Sequence, residues 1–564
     1  MSSSSDLHSM NNEFEENDGS PHPKKRKINF GQNYMQKFGF KDGSGLGRNA
    51  DGIVEPVEVS KQKGTRGLGY TVAALEGARS SYDPSLYKNL IHEDVPQWLE
   101  NNHDDSISKE ILVSWMKKGP QMKRLSDESE FCSPGVPVKV FTSKDVLSHI
   151  SEKDVKAGRR RANPYESISH AIFLNRAAMK MANMDAVLDR MFTKPKNING
   201  EDAIANGDLL YFADVCAGPG GFSEFVFHMK KWRAKGFGFT LRKENDFKLD
   251  DFLAGPSETF HPYYGSKGDG DIYDTDNVES FVAYVMRQTN NKGVHFMMAD
   301  GGMPIEMKND QELICKKLYL CQCLVAMEIV RTGGHFVLKL YDLFTNFSVG
   351  LIYLMFRSFK YILIMKPRTS RPANSERIAK LQIISLNKLA AFCEDEDLKD
   401  DRQQQLRKLC LDEWGIPDEA RAEPKKTDVQ SKCRQLTGAS TLHNFETNMK
   451  DILIENLATF AEQVRSVYDW QMVLLRSKND KFTSGFYISL GKKNIWQYVQ
   501  NGWHKLSDVQ HFVLPADTLV YGEIVEETQG EGKSQMKYFA FHIIDGLFLG
   551  GEDIRNRNLN ERLT

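Results

Sequence analysis

The sequence predicts an α/β fold, a doubly wound and mostly parallel sheet spanning roughly residues 168 to 380. Two observations point there. Short apolar runs alternate with longer stretches of helical period, the order expected of a parallel sheet with helices on both faces. One of these junctions, Leu209–Glu224, reads L-L-Y-F-A-D-V-C-A-G-P-G-G-F-S-E, a buried strand, a glycine turn and the start of a helix.

Length and composition set the frame. The chain has 564 residues, enough for several domains, with 40% hydrophobic and 27% charged residues. A net charge of −2 gives no global signature of nucleic-acid binding, so any RNA contact must come from local patches. The eight cysteines are scattered without a C-x-x-C pair, which suggests neither a zinc site nor a disulfide framework. No apolar run is long enough to span a membrane, and the amino terminus does not read as a signal peptide.

In chain order, residues 1–30 are polar and acidic, the composition of a disordered tail. Within them Pro23-Lys24-Lys25-Arg26-Lys27 reads as a nuclear import signal, or else as a solvated charge run. From Tyr34 to Tyr70 an aromatic-glycine segment, Phe38-Gly39-Phe40, is followed by Gly45-Leu46-Gly47 and Gly67-Leu68-Gly69-Tyr70. A helical pattern near Ile111–Met116 precedes a basic cluster beside an aromatic, Lys156 to Tyr165, suited to phosphates and a stacked base or simply to a solvated linker.

The α/β pattern then begins with a helix over Ile168–Met184 that carries Lys180. After the glycine loop, strands are expected at Gly236–Leu241, Val294–Asp300, Gly334–Asp342 and Tyr361–Lys366. Helices are expected at Val278–Met286, Leu313–Val330, Val349–Phe356 and Leu381–Phe392.

Ligands of such sheets bind beyond the carboxyl ends of the strands. The order Gly218-Pro219-Gly220-Gly221 is a poor match to a dinucleotide fingerprint. Asp214, at the strand end, can accept from a cationic or amine-bearing ligand, and S-adenosylmethionine carries both a sulfonium and an ammonium. The glycines would let the backbone approach such a ligand closely. An ordinary strand-turn-helix could carry the same residues.

Some charges look out of place. Asp300 ends an apolar strand, Lys339 lies within V-L-K-L-Y, and Lys180 sits on an apolar helix face. A lysine in apolar surroundings is biased toward its neutral form, which a general base requires. Glu376, just past the last expected strand, is a fourth candidate. A single lysine could snorkel from an edge strand; an ordered Lys, Asp, Lys, Glu set is harder to dismiss.

The stretch Asp214–Glu224 and this tetrad resemble the RrmJ/FtsJ-type ribose 2'-O-methyltransferases, a Rossmann-like fold. The contexts of Lys180, Asp300, Lys339 (T-G-G-H-F-V-L-K) and Glu376 (S-R-P-A-N-S-E-R) are similar to the cap-specific mRNA branch of that family. The glycine-rich segment resembles a G-patch, which in its family docks on DEAH-box RNA helicases. The resemblance implies S-adenosylmethionine as cofactor, held by Cys216, Ala217, Gly218, Pro219, Gly220, Gly221, Phe222, Asp271 and Ile272. It implies the 5' end of capped mRNA as substrate, contacted by Lys144, Arg159, Asn309, Asp310, Gln311 and Asn374, with Lys339 as base and no metal. A nuclear location goes with both.

The resulting divisions are a tail (1–30), a G-patch (31–77), a linker and RNA-contacting segment (78–167), the methyltransferase domain (168–380), a helical connector (381–440) and a partial guanylyltransferase-like region (441–564). No WW module follows, so contact with a polymerase tail is not expected. In the family a further strand follows S-E-R; here Ile378 leads almost directly into a helix, so the sheet is expected to be one strand short. That gap leaves a rival reading, a catalytically weak G-patch scaffold that holds RNA and recruits a helicase.

Overall fold

The computed structural model describes residues 73–439 and 484–563 apart from 86–95, part of 120–129, 198, 206, 304–309, 371–378, 424–426, 508–511 and 530–534, together with isolated positions elsewhere. The chain divides into two units, Met1–Tyr70 and Thr71–Thr564. The expected import signal and nearly all of the G-patch lie outside the described residues.

After two short helical turns at Ala73–Leu75 and Ala78–Ser81, the second unit runs through β1 (Leu99–Glu100), α1 (Lys109–Trp115), α2 (Val136–Ser148) and α3 (Glu152–Ala162). The α/β core follows as α4 (Arg176–Val187), β2 (Leu210–Val215), α5 (Gly221–Lys230), β3 (Ala234–Phe239), β4 (Phe260–Tyr263), α6 (Thr275–Gln288), β5 (Val294–Ala299), α7 (Gln311–Ile329), β6 (Val330–Leu338) and α8 (Asn346–Ser358). After it come β7 (Tyr361–Ile362), α9 (Ala379–Glu394), α10 (Gln403–Trp414) and α11 (Val429–Thr437).

The central sheet has the order β4-β3-β2-β5-β6 with every pairing parallel. Its side chains alternate between two cores. Phe212, Phe296 and Met298 pack with Phe225 and Phe227 of α5 and Met179 and Met181 of α4. Ala213, Val215, Met297 and Ala299 pack with Phe281 of α6 and Val325 of α7. A sheet buried on both faces needs strands that are apolar throughout, which is why the run L-Y-F-A-D-V reads as one.

The structure departs from the sequence expectations at several places. The segment Tyr361–Lys366 adds no strand to this sheet; Tyr361 and Ile362 pair antiparallel with Glu100 and Leu99. The edge strand β4 was not foreseen, because Pro262 breaks its strand signal, and an edge is where a strand tolerates a missing N–H. The Lys180 helix starts at Arg176, eight residues later than Ile168, where the Asn175 side chain caps it by accepting from Ala177 N at 2.9 Å. Strand β6 ends at Leu338, so Lys339 is one residue beyond the strand rather than inside it.

Beyond the core, β8 (Gly485–Ser489), β9 (Ile495–Val499), β10 (Gly502–Lys505), β11 (Thr518–Gln529), β12 (Met536–Leu549) and β13 (Glu552–Asp553) form an antiparallel sheet, followed by α12 (Leu559–Leu563). This sheet meets the core through Arg233, which donates to both carboxylate oxygens of Glu552 at 2.8 and 2.7 Å, and through Lys492 N, which donates to Glu258 at 2.8 Å.

Candidate active site

Three neighbouring strands end level with one another. Val215 is in register with Ala299, and Ala299 with Leu338. Cys216, Asp300 and Lys339 therefore leave the sheet side by side, and the backbone N–H of Lys339 donates to Ala299 O at 2.9 Å. The strand order reverses between β2 and β5, the position at which open α/β sheets form a crevice.

At that crevice one carboxylate oxygen gathers two ammonium groups. Asp300 Oδ1 lies 3.1 Å from Lys339 Nζ and 3.5 Å from Lys180 Nζ. Lys339 Nζ also donates to the backbone oxygen of Asp300 at 2.7 Å. These side chains retain 16–24% of their exposure, so they are sheltered yet reachable. Three of the four residues singled out by sequence thus converge. Glu376 and the expected RNA contact Asn374 lie outside the described residues. The segment leading to them is tied to the Lys180 helix: Arg368 N donates to Asn183 Oδ1 at 2.6 Å, and the Arg176 guanidinium to Thr369 O at 3.4 Å.

The glycine loop is held differently from the sequence expectation. A Cβ on Gly218 would stand 1.9 Å from Asn245 O, and one on Gly220 would stand 2.7 Å from Phe252 Cζ. Gly220 also has a φ of +104°, in the left-handed region. What excludes a side chain is the protein's own packing, not only a ligand. Asp214 is fully buried and its Oδ2 accepts from Ser223 Oγ at 2.6 Å, so it fastens the loop to the strand. Burial, with the Asp300 charge adding to it, pushes its carboxyl up to about 8. Its Oδ1 has no hydrogen-bond partner among the described residues. The ligand contact expected at Asp214 thus meets a side chain already closed off from solvent. Burial likewise pushes the Cys216 thiol up to about 12, which keeps it protonated near neutral pH.

Across the crevice a Cβ on Gly270 would stand 1.8 Å from Thr240 O, which seats Asp271 and Ile272 against the end of β3. Ile272 is buried, whereas Asp271 is half-buried, accepts from Tyr273 N at 2.8 Å and forms no ion pair among the described residues. An unpaired carboxylate beside an apolar wall fits a ligand with an ammonium or a ribose diol. Among the described residues no cluster of His, Cys, Asp and Glu could hold a metal ion.

The expected substrate contacts are more dispersed. Arg159 is half-buried on α3, and Asp310 and Gln311 stand at the start of α7, where Asp310 Oδ1 accepts from Leu125 N at 3.2 Å. Asn309 lies outside the described residues. Lys144 differs from expectation. Its ammonium is 3.1 Å from Asp342 Oδ2 with both side chains under 10% exposed, so it is engaged with the segment after Lys339 rather than open to a ligand.

Two buried acids that sequence reasoning passed over set this geometry. Glu224 accepts from Leu174 N at 2.6 Å, Leu253 N at 2.9 Å and Ala254 N at 3.1 Å, which ties the glycine-loop helix to the approach of the Lys180 helix. Glu312 accepts from Phe344 N at 3.0 Å, Thr345 N at 2.9 Å and Thr345 Oγ1 at 2.7 Å, which pins the chain beyond Lys339. Their only sequence signal is an acid in the first turn of a helix, which many helices carry.

Comparison with known proteins adds a family. The FtsJ-like methyltransferase family matches residues 173–379 and the G-patch domain residues 28–71. The cap-specific mRNA (nucleoside-2'-O-)-methyltransferase 1 of Bos taurus is 40% identical over 607 residues, covering 94% of this chain and 70% of that protein. The protein of the same name from Homo sapiens is 39% identical over 606 residues, with the same coverage. That of Drosophila melanogaster is 34% identical over 629 residues, covering 98% of this chain and 79% of its own.

Proposed function

The chain belongs to the family of the cap-specific mRNA (nucleoside-2'-O-)-methyltransferase 1 proteins, and from that membership we propose that it methylates the ribose 2'-oxygen of the first transcribed nucleotide of 7-methylguanosine-capped mRNA. The observation that carries the reading is the meeting of Lys180, Asp300 and Lys339 at the switch point of the sheet. A scaffold that only held RNA would have no need of two ammonium groups on one sheltered carboxylate.

S-adenosylmethionine would supply a methyl group already activated on a sulfonium. The loop Cys216–Phe222 with Asp271 and Ile272 would hold it, Asp271 offering the carboxylate. The protein's remaining tasks are to place the acceptor and to remove its proton. Lys339 Nζ, once it has shed a proton to become the neutral amine, takes the proton of the 2'-hydroxyl. Asp300 fixes that nitrogen through its carboxylate and its backbone oxygen, and Lys180 places a second positive charge on the same carboxylate. Glu376 would complete the set. Arg159, Asn309, Asp310, Gln311 and Asn374 are the proposed contacts to cap and RNA, and Lys144 joins them only by sharing or leaving Asp342. The G-patch match supports a DEAH-box helicase as partner, and the cluster Pro23–Lys27 supports a nuclear location. No described helix is long and apolar enough to cross a membrane.

The test is methyl transfer from labelled S-adenosylmethionine to capped and uncapped forms of one short RNA. Label is expected on the first ribose of the capped form. Equal labelling of both, or label on a base, would overturn the proposal.

A further inference from the structure

Tyr341 stands two residues past Lys339, outside the Lys, Asp, Lys, Glu set. A Cβ built on Gly302 would lie 2.7 Å from the Tyr341 hydroxyl and 3.1 Å from Lys339 Nζ. The phenol oxygen and the amine therefore share the space over one glycine, two residues beyond Asp300. The ring also flanks the amine, with Nζ 5.6 Å from its centre. The residue is firmly held. Its backbone N–H donates to Tyr319 Oη at 3.1 Å, and its side chain packs on the cluster of Cys315, Tyr319 and Leu351. The next residue, Asp342, is locked by Lys144. A side chain fixed by packing and by its neighbours' bonds is preorganised for a contact.

An acceptor hydroxyl that yields its proton to Lys339 must come within about 2.6–3.2 Å of Nζ. The oxygen on the neighbouring 3' carbon of the same ribose then lies within a few ångströms of the lysine, and the Tyr341 hydroxyl stands in that same space over Gly302. That oxygen, esterified to phosphate within an RNA chain, can only accept. A carboxylate such as Asp300 offers it nothing, whereas a phenol can donate. We infer that Tyr341 is a substrate-contacting residue: its hydroxyl hydrogen-bonds the 3'-oxygen side of the acceptor ribose, while its ring confines Lys339. This rests on the proposed function in taking capped RNA as the ligand and Lys339 as the group its 2'-hydroxyl approaches.

The experiment compares the full chain with Tyr341→Phe and Tyr341→Ala. Binding of a short, fluorophore-labelled, 7-methylguanosine-capped RNA is followed by anisotropy, and turnover is measured separately across pH. Phe keeps the ring and should weaken RNA binding about two- to tenfold, the worth of one net hydrogen bond. Ala should weaken binding as much and, by freeing Lys339, also lower kcat and change the pH profile. An unchanged RNA affinity in the Phe variant overturns the hydroxyl contact, and an unchanged kcat in the Ala variant overturns the confinement of Lys339. If the wild type binds capped RNA, loses affinity on Tyr341→Phe and yet transfers no methyl group, the contact stands and the proposed reaction falls.

Discussion

Replacing Gly220 with alanine tests whether the glycine loop is shaped by its ligand or by its own fold. The loop residue sits at φ +104°. A Cβ there costs about 1–2 kcal/mol for the left-handed backbone alone. The added methyl would also stand 2.7 Å from Phe252 Cζ and 3.1 Å from Phe247 Cδ1. Those rings belong to a packed core, so they cannot swing clear freely, and overpacking of this kind costs about 1–3 kcal/mol. The sum is roughly 2–5 kcal/mol. For a domain of this size each kcal/mol lowers Tm by about 2–4 °C. Thermal unfolding followed by circular dichroism should therefore show Gly220→Ala melting at least several degrees below the wild type. Calorimetric titration with S-adenosylmethionine should show weakened binding alongside it. A variant that melted with the wild type but no longer bound the cofactor would refute the packing argument and restore the ligand as the reason for the glycine.

Two further outcomes follow from the same geometry. Lys339→Ala should lower methyl transfer about 10²–10⁴-fold in a single-turnover assay while calorimetry shows cofactor binding retained; a near-normal rate would remove Lys339 as the base. His295 is buried at the amino end of β5, with Tyr211 N donating to its Nδ1 at 3.0 Å and the Arg331 guanidinium 2.7 Å from its Nε2. Burial, with the Arg331 charge adding to it, pushes the imidazole down to about 4. Because the folded value lies below the unfolded one, this stability is fully present above about pH 6.5 and is lost as pH falls toward 4, by about 3 kcal/mol. Chemical denaturation between pH 7 and 4 should show that slope, and His295→Gln should flatten it; an unchanged slope would assign the acid sensitivity to other groups.

The sheet was legible in the sequence wherever burial on both faces demanded an unbroken apolar run, as in Leu210–Val215 and Val294–Ala299. Signal failed where partner choice decided the outcome. Tyr361 and Ile362 are as apolar as any strand start, yet they pair with Leu99 and Glu100, more than 250 positions away. The catalytic candidates were legible for a local reason, since a lysine or aspartate at the end of an apolar run has no structural excuse for being there. That reason needed one correction. Lys339 lies past the strand end, so its value is that the register of β2, β5 and β6 delivers it beside Asp300, not that the strand interior strips its hydration.

Local oddity is therefore a guide to the residues that act on a ligand and a poor guide to those that hold them. Glu224 and Glu312 look ordinary in sequence because an acid in a helix's first turn satisfies that helix by itself. What distinguishes them is the origin of the N–H groups they receive, which lie about 30 to 50 residues away in each case. Lys144 shows the converse. Resemblance marks it as a substrate contact, but nothing in its neighbourhood reveals Asp342, almost 200 positions on and only three residues beyond the lysine proposed as the base. If RNA binding draws Lys144 toward a phosphate, it must do so against that buried pair, and the cost falls on the same segment that carries Lys339 and Tyr341. Substrate binding and the placing of the base are then coupled through one short stretch of chain, which no reading of either residue alone would reveal.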